Sequence, residues 1–142
     1  MSIISAVKTY MLTYSSLDAG APMWVDFLGT NPTQYAIVPL PGPKVVAWYL
    51  HGGSMREFPF AFQSMQSTAD ELERLENSGF YEALSDWFET QTKVGTLPTS
   101  LGTGRTATAI EAIGWAFLYE QGESATGVYQ INCKLSYEQD PL

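Results

Sequence analysis

With 142 residues, 45% apolar and 15% charged, the chain suits one domain that buries its own core, and its charged fraction sits below the usual ~25%. Fifteen acidic against seven basic residues give a net charge of −8, which argues against phosphate-neutralising contact with nucleic acid or an anionic membrane surface. A single cysteine excludes an intramolecular disulfide and a multi-cysteine zinc site.

In chain order, Ile3, Val7, Tyr10, Met11, Tyr14 and Leu17 recur at helical spacing, predicting an amphipathic helix over Ser2–Leu17 capped by Ser2. Asp18-Ala19-Gly20-Ala21-Pro22 ends it. Met23 to Leu28 is an apolar patch in a short element or loop, closed by Gly29 and Asn31-Pro32. Tyr35–Leu40 and Val45–Leu50 read as strands, the first confined by its prolines to an edge or a strand end. His51-Gly52-Gly53-Ser54 is a turn. A third strand follows, with Phe58, Phe60 and Phe62 on one face and Pro59 implying an edge or a bulge.

Thr68–Val94 is helical in period, with Thr68 or Ser67 as N-cap and Glu71 at capping-box distance from Thr68. Leu72 and Leu75 form one dry stripe; Phe80, Leu84, Trp87 and Phe88 form another. Asn77-Ser78-Gly79 predicts a break into two helices. Gly95–Arg105 is rich in Gly and Thr and reads as a loop. Two β-like segments then form a hairpin: Ile110–Tyr119, a turn at Gln121-Gly122-Glu123-Ser124, and Val128–Tyr137. In the last of these Tyr129, Ile131, Cys133, Leu135 and Tyr137 alternate with polar residues, so one face is dry and one wet. Cys133 on the dry face is a buried structural thiol. The order α, β, β, β, α, α, β, β predicts a single α+β domain over 1–142, a mostly antiparallel sheet with helices on one face.

No pattern marks a reaction centre. His51, the only histidine, sits in a Gly-Gly turn. Ser54 beside it lacks the Gly-x-Ser-x-Gly elbow and an orienting acid. Gly102-Thr103-Gly104 precedes a strand and lacks the Lys-Ser/Thr of a phosphate loop. No metal or cofactor is expected. With no secretory signal and no run of about 20 apolar residues, the reading is a soluble cytoplasmic protein.

Two features point to surfaces instead. Four Trp, eight Tyr and seven Phe in a weakly charged chain suit either an aromatic core or an oligomer interface. The acids Asp70, Glu71, Glu73 and Glu76, then Glu82, Asp86 and Glu89, face only Arg74 in that stretch. They form either a solvated helix face or a negative surface past which DNA slides without binding.

The ordered series Tyr35-Ala36-Ile37-Val38-Pro39-Leu40-Pro41-Gly42, Arg56-Glu57-Phe58-Pro59-Phe60-Ala61-Phe62, Glu73 to Glu82 with Trp87, Leu97-Pro98, Tyr119 to Glu123 and Tyr129 to Tyr137 resembles small tail-completion proteins. These belong to long, non-contractile-tailed phages and prophages of Gram-positive bacteria, and some are labelled minor capsid proteins. The resemblance covers about residues 30 to 139 and implies a tail terminator. Such a subunit forms a hexameric ring on the tail tube, ends tube growth and offers the docking surface for the head. The alternative is another tail or neck component, a tube subunit or head-closure protein. The partners it implies are other copies of the chain, the tube protein and a head-completion protein. Assembly would occur in the host cytoplasm, with the product in the virion tail. A head-to-tail ring needs two unlike patches per subunit. Trp24, Phe27, Arg56 and Tyr137 are the expected interface residues, and Asp70, Glu71, Glu73 and Glu76 the expected lumen-facing acids.

Overall fold

The computed structural model describes residues 2–15, 17, 23–26, 34–67, 71–121 and 126–142, with only the backbone at 67, 71–78 and 121. The first helix, α1 (Ile3–Met11), is shorter than its apolar period suggests. Ser2 caps it: its side chain accepts from the Ser5 backbone N–H at 3.2 Å. Ala6, Val7, Tyr10 and Met11 form its buried stripe.

Strands β1 (Met23–Val25), β2 (Gln34–Pro39), β3 (Val45–Trp48) and β4 (Ser54–Ser67) follow. Then come helix α2 (Glu71–Val94) and strands β5 (Arg105–Ala112), β6 (Phe117–Gln121) and β7 (Thr126–Gln139). All seven described strands join one sheet in the order β1-β2-β4-β7-β5, with β3 added to β4 and β6 to β7. Only β1–β2 is parallel. The domain is α+β, with a mostly antiparallel sheet, as the periodicities predict.

Register explains the core. Ile37 lies opposite Phe62, and Phe62 opposite Ile131. Phe60 faces Cys133, and Phe58 faces Leu135. These side chains share one face, and both helices pack there, through Val7, Tyr10 and Met11 from α1, with Tyr14 just beyond it, and Tyr81, Leu84 and Phe88 from α2. Between the helices, Trp87 stacks on Tyr14 and Tyr10, ring centroids 4.8 and 5.1 Å apart. The Tyr10 hydroxyl donates to the Thr96 carbonyl at 2.9 Å, and burial pushes its pKa up to about 12. Cys133 is fully buried, and burial raises its thiol pKa far above the usual range, as a structural thiol requires. On the opposite face Lys134 bridges Glu57 (2.8 Å) and Glu111 (3.3 Å), and Gln63, Gln130 and Asn132 link their amides at 2.8 Å.

Three expectations are corrected. Glu71–Val94 is one helix through Asn77-Ser78-Gly79, because Phe80, Tyr81, Leu84 and Phe88 keep the continuing turns packed on the sheet. Pro59 sits in a central strand, not at an edge. The Pro59 carbonyl accepts from the Leu40 N–H, so its missing donor would face the 41–43 segment linking β2 to β3, where no strand pairs. The segment Ile110–Tyr119 is two strands, not one. Residues 113–116 separate them, with Gly114 at a φ of +84°, and the 14-residue β7 carries β5 along one half and β6 along the other. Thr68, Asp18–Pro22, Gly29–Pro32 and the turn at 122–124 lie outside the described residues, as do the Leu72 and Leu75 side chains.

Candidate functional site

The expected interface residues part company. Trp24, on the edge strand β1, is 41% exposed, and its indole N–H donates to the Gln34 side chain at 3.0 Å. Phe27 lies outside the described residues. Arg56 and Tyr137 correct the expectation: they are cross-strand neighbours on the helix-covered face, 5% and 1% exposed. The alternation that turns Phe58, Phe60 and Phe62 inward turns Arg56 inward as well. Its Nε donates to the Ser54 hydroxyl at 2.8 Å, and its guanidinium lies 5.8 Å from the Trp48 ring centroid. No carboxylate among the described residues reaches it at ion-pair distance.

Of the expected lumen-facing acids, Asp70 is outside the described residues, and Glu71, Glu73 and Glu76 are described by backbone alone, in the first turns of α2. The later acids of the same run are placed. Glu82, Asp86 and Glu89 recur at i, i+4 and i+7, so they share one exposed helix face. They line a cleft of about 430 Å³ with Ser85, and Gly114 and Trp115 form its far wall. A narrower recess beside it reaches Tyr81 and Ile131. There the Tyr81 hydroxyl bonds the buried Ser64 hydroxyl and the Tyr129 carbonyl, so the floor is polar but satisfied. Burial raises the pKa of Tyr81 far above its ordinary value, which keeps it neutral. Trp115 is 79% exposed. Carboxylates facing an open indole attract a cation twice over, through charge and through the ring face.

The strand edges add a second theme. On β5, Thr92 of α2 closes the open edge: its hydroxyl accepts from the Ile110 N–H at 3.1 Å and donates to the Ile110 carbonyl at 2.9 Å. On β6 the exposed large apolar side chains are Phe117, Leu118 and Tyr119, next to Trp115 and Ile113, with Glu120 exposed beside them. Across the sheet, β3 pairs with β4 alone and exposes Val46, Trp48 and, just beyond, Leu50. A strand edge that keeps bare backbone and large apolar side chains together invites another chain. Val46, Trp48, Leu50, Trp115 and Phe117 were not singled out from the sequence. The readable signal was the unbroken apolar run Trp115-Ala116-Phe117-Leu118-Tyr119 after Gly114, which has no wet face to give to solvent.

These features define a class: an α+β single-sheet domain with two unlike strand edges that carry exposed apolar side chains. A scan of protein-family models and a search of curated proteins each find no match to the chain.

Proposed function

We propose that the protein is the terminator of a long, non-contractile phage tail. It caps the tail tube, ends tube polymerisation and presents the surface on which the head docks. The observation that carries this reading is the pair of different apolar edges, β3 and β6, on opposite sides of one small domain. A subunit of a closed ring needs two such surfaces, because each copy meets its neighbours through different patches. The ordered series of residues from Tyr35 to Tyr137 supports the phage assignment. In this reading the chain works by shape and adhesion, with the tube protein and a head-completion protein as its axial partners, and the acidic face of α2 keeps DNA from adhering during passage.

Electron microscopy of particles made without this gene tests the proposal. Overlong tails of irregular length are expected; tails of normal length would refute it. The mass of the purified protein separates a closed ring, the expected product, from the open tubes that a tube subunit would form.

A further inference from the structure

One end of the helix-covered sheet face is polar. Of the five buried polar or charged residues among those described, Ser54, Arg56 and Gln139 stand there together. Ser54 lies opposite Gln139 across β4 and β7, and Arg56 lies opposite Tyr137 in the next inward-facing row. Trp48 of β3 is paired with Ser54, and its ring centroid is 5.8 Å from the Arg56 guanidinium carbon.

The two arginines of this face differ. Arg105 is satisfied within the chain: its Nε donates to the Gln139 side chain at 2.9 Å and its Nη1 to the Leu101 carbonyl at 3.2 Å. Arg56 donates from Nε to the Ser54 hydroxyl at 2.8 Å, but its Nη groups have no hydrogen-bond partner and no ion pair among the described residues. The nearest acids along the paired strands, Glu57 and Glu138, have the opposite parity and so belong to the other face of the sheet. Lys134 holds Glu57, and Glu138 lies 3.5 Å from the Tyr49 hydroxyl.

A guanidinium is charged at every working pH, and burying one without a counter-charge is costly. No buried side-chain nitrogen or oxygen among the described residues lacks a partner, so the unpaired Nη groups reach the surface. The Tyr137 hydroxyl, also without a partner there, does the same. Arg56 as a whole is only 5% exposed, so what meets water is the outer edge of its fork. That edge offers four N–H donors and a full charge, and the Ser54 bond and the Trp48 ring hold its plane. Such a fork matches two oxygens of a phosphate or carboxylate, and being fixed beforehand it loses little freedom on binding.

We propose that Arg56 is the centre of a small-oxyanion site, sized for inorganic phosphate or a single carboxylate, with Tyr137 offering a further hydroxyl. An opening one guanidinium edge wide, on a chain of net charge −8, does not suit an extended polyanion such as duplex DNA. The site is independent of the terminator reading.

Calorimetric titration of the purified full chain with inorganic phosphate, at an ionic strength held constant with sodium chloride, tests it. The wild type should show one saturable site. R56K, which keeps the charge and loses the fork, should bind at least tenfold more weakly, and R56M not at all, with circular dichroism reporting whether each folds. Acetate distinguishes the sources of the oxyanion: binding comparable to phosphate supports a carboxylate from another protein as occupant, and phosphate binding alone supports the free ion. Two measurements need no variant. Phosphate tenfold above its Kd should raise the wild-type melting temperature by about 3–6 °C over matched chloride. In nitrogen-15 spectra of the guanidinium groups it should shift Arg56 and leave Arg105 in place. No saturable binding of either anion, undiminished binding by folded R56M, or shifts shared equally by Arg56 and Arg105 overturns the proposal.

Discussion

Strands β5 and β6 lie along the same side of β7, separated in the chain only by residues 113–116, yet their outer edges are finished differently. Along β5 the helix α2 comes alongside, and Thr92 closes the Ile110 backbone within the same chain. Along β6 the exposed side chains are Phe117, Leu118 and Tyr119 together with Glu120. A protein pays for a bare apolar edge in aggregation risk, so keeping one beside a sealed one argues that the bare one has a use. The sealed half serves the fold, and the bare half is the one that the proposed function assigns to assembly.

That contrast can be attacked at four points. The largest effect is expected in the sealed half. Leu135 is fully buried and paired with Phe58 on one side and Ile110 on the other. Leu135→Ala should lower stability by about 2–5 kcal/mol in urea unfolding, and a loss well under that range would mean the sealed half is not the anchor of the domain. Thr92→Val comes next. It keeps the shape but strands the Ile110 N–H and carbonyl, at a cost of about 1–3 kcal/mol, and Ile110 should become a fast-exchanging amide while Thr92→Ser leaves it slow. If the valine variant keeps a protected Ile110, the hydroxyl is not what closes the edge.

Gly114 tests the junction between the halves. Its φ is +84°, and an added Cβ would meet no atom within 4 Å, so Gly114→Ala should cost about 1–2 kcal/mol from backbone strain alone. Thermal melting reads the cost, and Trp fluorescence reports whether Trp115 moves with it; an unchanged melting temperature would show that the jog does not depend on glycine. Smallest in stability is the open half. Trp115→Ala should change unfolding free energy by no more than about 0.5 kcal/mol while weakening self-association in sedimentation. Equal losses in both measurements would make Trp115 part of the fold and erase the distinction.

Several parts of this division were legible from residues alone. Alternation in Phe58-Phe60-Phe62 and in Tyr129 to Tyr137 predicted the shared core face and the burial of Cys133. The same alternation also placed Arg56 and Tyr137 inward. Their expected place at an interface conflicts with that alternation, since position parity decides which side of a strand a residue occupies and puts both on the core face. The Asn77-Ser78-Gly79 break failed for a related reason: a local stop signal worth about 1 kcal/mol loses to four large side chains packed beyond it.

The amino-acid order by itself determined the class of fold, the two helical stretches, the side of each long strand that turns inward and the absence of alternation after Gly114. These follow from short-range periodicity and backbone preference, which each segment carries wherever it lies. Only the tertiary structure decided which strand edges are covered, because closing an edge takes a partner distant in sequence, as Thr92 is from Ile110. For the same reason only the assembled sheet set Lys44 and Trp48 on one side and Trp115, Glu82 and Glu89 on the other.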